Sequence, residues 1–76
     1  MFDQITFGKR LKKFRKRISM TQKEAATKIG VSKQALSKWE NGATYPDIEL
    51  LPIIAGYFDV SLDELVGVIM RERRRK

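Results

Sequence analysis

The sequence predicts an all-α fold of five short helices, and three observations support this prediction. Apolar residues recur at helical spacing near the N-terminus, beginning with Phe7. Two segments start with a hydroxyl residue that glutamate follows three positions later, which is the pattern of a capping box: Thr21 with Glu24, and Ser61 with Glu64. A chain of 76 residues allows one domain with a small core, and tightly packed helices stabilise such a core without disulfides or metals.

The first helix is expected to begin between Asp3 and Thr6. Its apolar residues form one narrow stripe at positions i, i+4, i+7 and i+11, namely Phe7, Leu11, Phe14 and Ile18. Most of its other positions are Lys or Arg. A basic amphipathic helix can also lie on an anionic membrane or in a calmodulin-type groove. Core packing is favoured here, because the apolar helices that follow need this stripe as a partner.

The segment 21–42 is predicted to be two helices joined by a tight turn. Thr21 caps the first helix and Gly30 ends it, whereas Ser32 caps the second and Gly42 ends that one. The buried face of the first is Ala25, Ala26 and Ile29, and that of the second is Ala35, Leu36 and Trp39. The opposite face of the second helix carries Lys33, Gln34, Ser37, Lys38 and Asn41. All five side chains can donate hydrogen bonds and none is acidic, which suits the guanine and adenine edges of the major groove.

Two further helices are predicted after Gly42. The fourth spans about 47–57, with an inward face of Ile48, Leu51, Ala55 and Phe58. Pro52 predicts a local distortion near its start, because proline has no amide hydrogen to donate. The capping box at Ser61 opens a fifth helix that carries Leu62, Leu65 and Val66, with 68–70 as candidates for its end.

Charge is distributed unevenly along the chain, whose formal net charge is +7. Residues 1–40 carry eleven Lys or Arg against three acids, and residues 41–70 carry five acids with no Lys or Arg. Residues 71–76 carry five basic residues and one acid. This polarisation favours a polyanionic partner. On composition alone, a generic solubility charge is the alternative.

Composition also restricts the chemistry of the chain. The sequence has no Cys and no His, which excludes disulfides, thiolate metal sites and the commonest general base. We therefore expect no cofactor, no metal and no enzymatic activity. The carboxylates Asp47, Glu49, Asp63 and Glu64 are better explained as residues at helix starts than as an acid–base pair. No apolar run is long enough to span a membrane and the N-terminus lacks a signal peptide, so a cytoplasmic, nucleoid-associated protein is expected.

Taken together, these motifs resemble the Cro/cI-type helix-turn-helix family, also called the XRE family, of phage and bacterial repressors. The matching residues are Thr21-Gln22, Ala26, Gly30-Val31-Ser32, Gln34-Ala35, Leu36-Ser37, Trp39-Glu40-Asn41-Gly42, Tyr45-Pro46-Asp47 and the segment 60–65. The resemblance covers residues 5–67 and implies a compact, five-helix, lambda-repressor-like DNA-binding domain over 1–70. Its helix-turn-helix motif is 21–42 and its recognition helix is 32–41. The basic tail 71–76 contacts phosphates, leads into a second domain or only aids solubility.

The resemblance and the residue chemistry together predict the site. Contacts with DNA bases are expected from Lys33, Gln34 and Lys38, with Ser32 and Ser37 at the groove wall. Contacts with DNA phosphates are expected from Gln22, Lys9, Arg10, Asn41 and Tyr45. The alternative for the first three is contact with phosphates only. The resemblance also implies a partly buried ion pair between Arg15 and Glu40, so these two residues and Trp39 are expected to be structural.

The expected partner is double-stranded DNA with a pseudo-palindromic operator, bound by a homodimer at least on DNA. The apolar residues of 62–70 either form a dimer contact or close the core. The predicted function is sequence-specific transcriptional regulation, with repression favoured. The alternatives are an antitoxin-like or accessory protein-interaction module, and a fragment of a longer regulator. The loop 43–45 has no cation, whereas several family members carry basic residues there, so we do not expect it to read the minor groove.

Overall fold

A computed structural model of the protein describes residues 4–67. Its elements are α1 (Gln4–Arg17), α2 (Gln22–Ile29), α3 (Lys33–Glu40), a 3-10 turn (Ile48–Leu50), α4 (Leu51–Phe58) and α5 (Leu62–Val66). No strand occurs within residues 4–67. The prediction of an all-α fold with five α-helices is confirmed.

The core lies at the centre of the five helices. Its largest fully buried side chains are Phe7, Phe58, Leu11, Leu36, Ile54 and Leu65. The helix α1 packs against α3 and α5, whereas α2 packs against α3 and α4. Trp39 is buried in the same cluster. Every helix therefore contributes to one apolar core, and α3 is held by both helices that precede it in the chain.

Both predicted capping boxes are present with complete hydrogen bonding. At α2 the Glu24 amide donates to Thr21 Oγ1 over 3.0 Å, and the Thr21 amide donates to Glu24 Oε1 over 2.9 Å. At α5 the Glu64 amide donates to Ser61 Oγ over 3.0 Å, and the Ser61 amide donates to Glu64 Oε1 over 2.8 Å. Each box satisfies two amides that would otherwise have no helical partner, so both helix starts are set by local sequence.

The predicted stripe of α1 is correct except at its last position. Phe7, Leu11 and Phe14 are buried, but Ile18 is 38% exposed. The helix ends at Arg17, and the chain then turns through Ser19 at a φ of 59°. Since Ile18 lies beyond the last helical residue, it no longer follows the helical stripe.

The fourth helix begins later than predicted. Ile48 starts the 3-10 turn rather than an α-helix, and its side chain is 79% exposed, so its assignment to the inward face is wrong. The predicted distortion near Pro52 is confirmed, because the α-helix begins only at Leu51 and proline occupies its first turn. The inward face of α4 is Ile54, Ala55 and Phe58.

The apolar residues of α5 divide between the core and the surface. Leu65 is fully buried, whereas Leu62 is 46% exposed. The candidates for the end of this helix in 68–70, and the basic tail 71–76, lie outside the described residues. None of the helices within residues 4–67 has the length and apolar character needed to cross a bilayer.

Candidate nucleic-acid interface

The turn between α2 and α3 is built by local hydrogen bonds. Gly30 ends α2 in the left-handed conformation with a φ of 94°, and its amide donates to the carbonyl of Ala26 over 2.8 Å. The Val31 amide donates to the same carbonyl over 2.9 Å. Ser32 then caps α3, accepting at Oγ from the Ala35 amide over 3.0 Å. Because the left-handed conformation strains residues other than glycine, Gly30 allows the sharp change of direction between the two helices.

A shallow surface depression lies where the start of α2 meets the outer face of α3. It is lined by Gln22, Lys33, Gln34, Ser37 and Lys38. The two lysines and Gln34 are exposed, whereas Gln22 and Ser37 are half-buried. The fold therefore gathers the three predicted base contacts, one predicted groove-wall serine and one predicted phosphate contact on a single surface.

The remaining predicted residues of this segment lie at the two ends of α3. Ser32 is exposed at the start of the helix, where its Oγ is used in the cap. Asn41 is exposed just after the last helical residue, and its amide donates to the carbonyl of Ser37 over 3.0 Å. Neither residue lines the depression.

Glu40 joins the three N-terminal helices through a buried network. Arg15 on α1 donates from Nε to Glu40 Oε2 over 2.6 Å and from Nη2 to Glu40 Oε1 over 3.0 Å. Gln22 on α2 donates from Nε2 to Glu40 Oε1 over 3.1 Å. Arg15 also donates from Nη1 to the carbonyl of Met20 over 2.7 Å, which holds the loop between α1 and α2. The ion pair that the family resemblance implies is thus present.

The surroundings of Arg15 favour its charged form. The hydrogen bond to Glu40 raises the pKa of Arg15 above its usual value, burial opposes this shift, and the negative charge of Glu40 adds to it. An arginine guanidinium is always charged in proteins, so Arg15 donates to Glu40 as a cation. Both partners are buried, and a pair with two hydrogen bonds fixes geometry better than a single contact.

The predicted phosphate contacts on α1 have different surroundings. Lys9 is exposed. Arg10 is half-buried, and its Nε is buried without a hydrogen-bond partner in the described residues. A Cβ atom added to Gly67 would lie 2.6 Å from this Nε, so the guanidinium packs against the end of α5. Arg10 does not line the depression, and this packing is a role that sequence reasoning did not assign to it.

Tyr45 lies after α3 and packs onto α1. Its ring contacts Phe7 edge to face, with 5.9 Å between ring centroids and 80° between ring planes. The side chain is half-buried. This contact anchors the loop that follows α3.

Gly8 is a residue of this region that sequence reasoning missed. A Cβ atom at Gly8 would lie 2.5 Å from the carbonyl oxygen of Trp39 and 2.6 Å from that of Glu40. The backbone of α1 therefore touches the last turn of α3. An isolated glycine inside a helical pattern was the available signal. It does not discriminate, because Gly56 is also isolated in a helix and a Cβ atom there would meet nothing within 4 Å.

The fold and the paired helices define the protein as a helix-turn-helix protein. The helix-turn-helix family matches residues 11–65, and the chain belongs to this family, of XRE type. The resemblance to the XRE family that was inferred from the sequence is confirmed.

Individual relatives add detail. The chain is 40% identical over 63 residues to the HTH-type transcriptional activator BcrR of Enterococcus faecalis, covering 83% of this chain and 31% of BcrR. It is 42% identical over 60 residues to the antitoxin PezA of Streptococcus pneumoniae, covering 79% of this chain and 38% of PezA. The chain thus spans less than two fifths of the length of either relative.

A solved structure supports the same fold. The P22 c2 repressor protein, crystallised in complex with a synthetic operator, superposes with a TM-score of 0.75 at 32% identity. The superposition covers 79% of this chain and 91% of that chain.

Proposed function

We propose that this chain is a DNA-binding domain of a transcriptional regulator and that α3 reads bases in the major groove. The observation that carries this proposal is the depression at the start of α2, where Gln22 meets Lys33, Gln34 and Lys38. A solvated helix face normally mixes acids with bases. The face that lines this depression carries lysine, glutamine and serine side chains and no acid. It lies on the second helix of a helix-turn-helix motif.

Base recognition follows from the chemistry of the exposed side chains. The amide of Gln34 matches the N6 and N7 atoms of adenine, and the ammonium groups of Lys33 and Lys38 match the O6 and N7 atoms of guanine. Ser37 is half-buried at the edge of the depression, and its hydroxyl can donate a hydrogen bond from a side chain shorter than those of Gln34 and the lysines. Ser32 Oγ accepts the Ala35 amide hydrogen in the helix cap, so its hydroxyl hydrogen and one lone pair remain available to DNA.

Phosphate binding is assigned first to Gln22. It is the first residue of α2, where the helix dipole and unpaired amides favour an anion. Its Nε2 carries two hydrogens, of which Glu40 accepts one and a phosphate oxygen can accept the other. Lys9, Asn41 and Tyr45 remain phosphate candidates, and Arg10 is the weakest of the set because it packs against α5.

One recognition helix covers only a few base pairs, so a pseudo-palindromic operator and a homodimer on DNA belong to the proposal. Repression is the simplest mode, because occupying a promoter requires no contact with another protein. BcrR is named an activator and PezA an antitoxin. Activation and a protein-interaction role are therefore the competing outcomes that experiment must separate.

Selection of bound sequences from a random duplex pool tests the proposal. Binding is carried out at about 150 mM salt, because contacts with phosphates alone weaken as salt rises. We expect enrichment of an inverted repeat, whose half-site spacing gives the geometry of the dimer. Binding that disappears with salt and enriches no sequence would contradict the proposal and favour the protein-interaction alternative.

Substitution of Gln34 tests base reading directly. Gln34→Ala is expected to cost about 1–3 kcal/mol on the selected site and to relax the preference at one base position. The control is Gln4→Ala, since Gln4 lies at the start of α1 and does not line the depression. An equal loss on every sequence would show that Gln34 contacts a phosphate instead.

A further inference from the structure

We infer that Gly8 is a positioning residue for DNA recognition, because the backbone of α1 at this point sets the orientation of α3. The inference rests on the proposed function, since it concerns the orientation of α3 relative to the DNA bases. Gly8 itself is buried in the interior and carries no side chain that could reach DNA. It acts through α3.

The contact at Gly8 is between two backbones. A side chain there would meet the carbonyl oxygens of Trp39 and Glu40 at 2.5 and 2.6 Å and the carbonyl carbon of Glu40 at 2.9 Å. Ordinary van der Waals contact begins at 3.4 Å. These atoms belong to a helix backbone and cannot rotate away as the end of a side chain would. Glycine is accordingly the residue that lets α1 approach α3 this closely.

The other contacts of α3 with α1 described above, and the hydrogen bond from Gln22 on α2, are also at its last turn. Glu40 receives the hydrogen bonds of Arg15 and Gln22. Just beyond the helix, a Cβ atom at Gly42 would lie 3.1 Å from the Cα atom of Ile5. The first two turns of α1 therefore lie along the C-terminal end of α3. The base-reading side chains Lys33 and Gln34 lie at the opposite, solvent-exposed end.

α3 is braced by α1 and Gln22 at its C-terminal end, and the turn at 30–32 joins its N-terminal end to α2. Its eight residues span about 12 Å. Bringing the nearest carbonyl oxygen from 2.5 Å to 3.4 Å from an added Cβ requires α1 and α3 to separate at Gly8 by roughly 0.9 Å. Binding groups must be held to within about 0.5 Å to keep their contacts. A displacement of this size misaligns Gln34 and Lys33 with base edges, while lysines remain available for phosphates.

The test compares alanine at two helical glycines. Gly8→Ala introduces the clash, whereas a Cβ atom at Gly56 in α4 meets nothing within 4 Å. Gly56→Ala is therefore a matched control that favours the helix, and it also supplies the stabilised background in which Gly8→Ala is examined. Four proteins spanning residues 1–76 are compared, namely the unchanged chain, each single variant and the double variant. Cooperative melting is followed by circular dichroism, and binding is measured on the selected duplex and on a scrambled duplex.

We expect the double variant to melt cooperatively and to bind the scrambled duplex within about twofold of the unchanged chain. Its affinity for the selected duplex is expected to fall about tenfold or more. Gly56→Ala alone is expected to leave both affinities unchanged.

Two results would overturn the inference. In one, the double variant keeps the full ratio of selected to scrambled binding. In the other, it fails to melt cooperatively, which would make Gly8 a packing residue and nothing more. If the unchanged chain binds the selected and the scrambled duplex equally well, the proposed function fails instead. The melting data then report only on the packing of Gly8.

Discussion

The two halves of the described chain are held together by different chemistry. Residues 4–40 contain eleven Lys or Arg, and their helices are joined by the buried network of Arg15, Gln22 and Glu40. Residues 41–67 contain no Lys or Arg, and no salt bridge is formed there among the described residues. That half is fixed by apolar side chains such as Ile54 and by a capping box. Both halves contribute to the core, whereas only the first half provides the cationic surface.

Breaking the buried ion pair should have the largest effect. Arg15→Ala is expected to lower the free energy of unfolding by about 3 kcal/mol or more, because the Glu40 carboxylate would stay buried without its cation. Urea denaturation measures this change, with Lys16→Ala as the exposed neighbour that should leave stability nearly unchanged. Unchanged stability combined with weaker DNA binding would assign Arg15 to the interface instead.

The next effect should appear only in DNA binding and only in the first half. Lys38→Ala is expected to weaken binding to the selected duplex by about 1–3 kcal/mol, because Lys38 lies in the depression on α3. Glu49→Ala, at an exposed position of the second half, is the matched control and should not weaken binding. A titration at several salt concentrations separates the alternatives for Lys38. Uniform loss on all sequences with a smaller salt slope indicates a phosphate contact, and loss confined to one base position indicates base reading.

The two capping boxes should respond alike, because their geometry is the same in both halves. Thr21→Ala and Ser61→Ala are each expected to cost about 1 kcal/mol of stability, since each removes the oxygen that accepts a helical amide. Thermal unfolding of the two variants gives the comparison directly. If Ser61→Ala had no effect while Thr21→Ala did, the start of α5 would depend on packing of Leu65 rather than on its cap.

The smallest effect should come from two residues within 4–67 that adopt the left-handed conformation without being glycine. Ser19 after α1 has a φ of 59°, and Asp59 after α4 has a φ of 57°. Ser19→Gly is expected to stabilise the protein by about 0.5 kcal/mol, and Asp59→Gly by less, because aspartate tolerates this conformation better than serine. Differential scanning calorimetry of both variants tests the order. A larger gain at Asp59 would contradict it.

Features that depend on neighbours within one turn were predictable from the sequence. The capping boxes at Thr21 and Ser61 need only residues three positions apart, and both formed as predicted. The left-handed Gly30 and the cap at Ser32 are equally local. These signals place α2 and α3, and with them the shared outer face of Lys33, Gln34 and Lys38.

The burial of individual apolar residues around α4 and α5 was predicted less well. Periodicity placed Ile48 inward because it assumed one continuous helix. Pro52 instead confines the α-helix to Leu51–Phe58, and the 3-10 turn before it follows a different period. Leu62 shows the same limit at α5, since the apolar character of a side chain does not decide whether its face meets a neighbouring helix.

The sequence named the side chains that the fold brings together in the depression, and their role in binding DNA stays a prediction. Most of the contacts that hold them in place were not predicted from the residues themselves. Residue chemistry singled out Gln34 and the lysines of α3, and the fold gathers them with Gln22. The Arg15–Glu40 pair came from the family resemblance, because no local spacing relates residues 25 positions apart. The packing of Arg10 against Gly67 and the contact of Gly8 with α3 came from the structure alone.

The sequence by itself determined where α2 and α3 begin, which face of α3 is cationic and which half of the chain carries the positive charge. These properties follow from short-range hydrogen bonding, helical periodicity and composition, none of which requires the rest of the fold. Only the tertiary structure decided how α3 is held. The position of α3 depends on the close approach of two helix backbones at Gly8 and on the buried ion pair between Arg15 and Glu40. Both contacts are set by packing between segments that lie far apart in the chain.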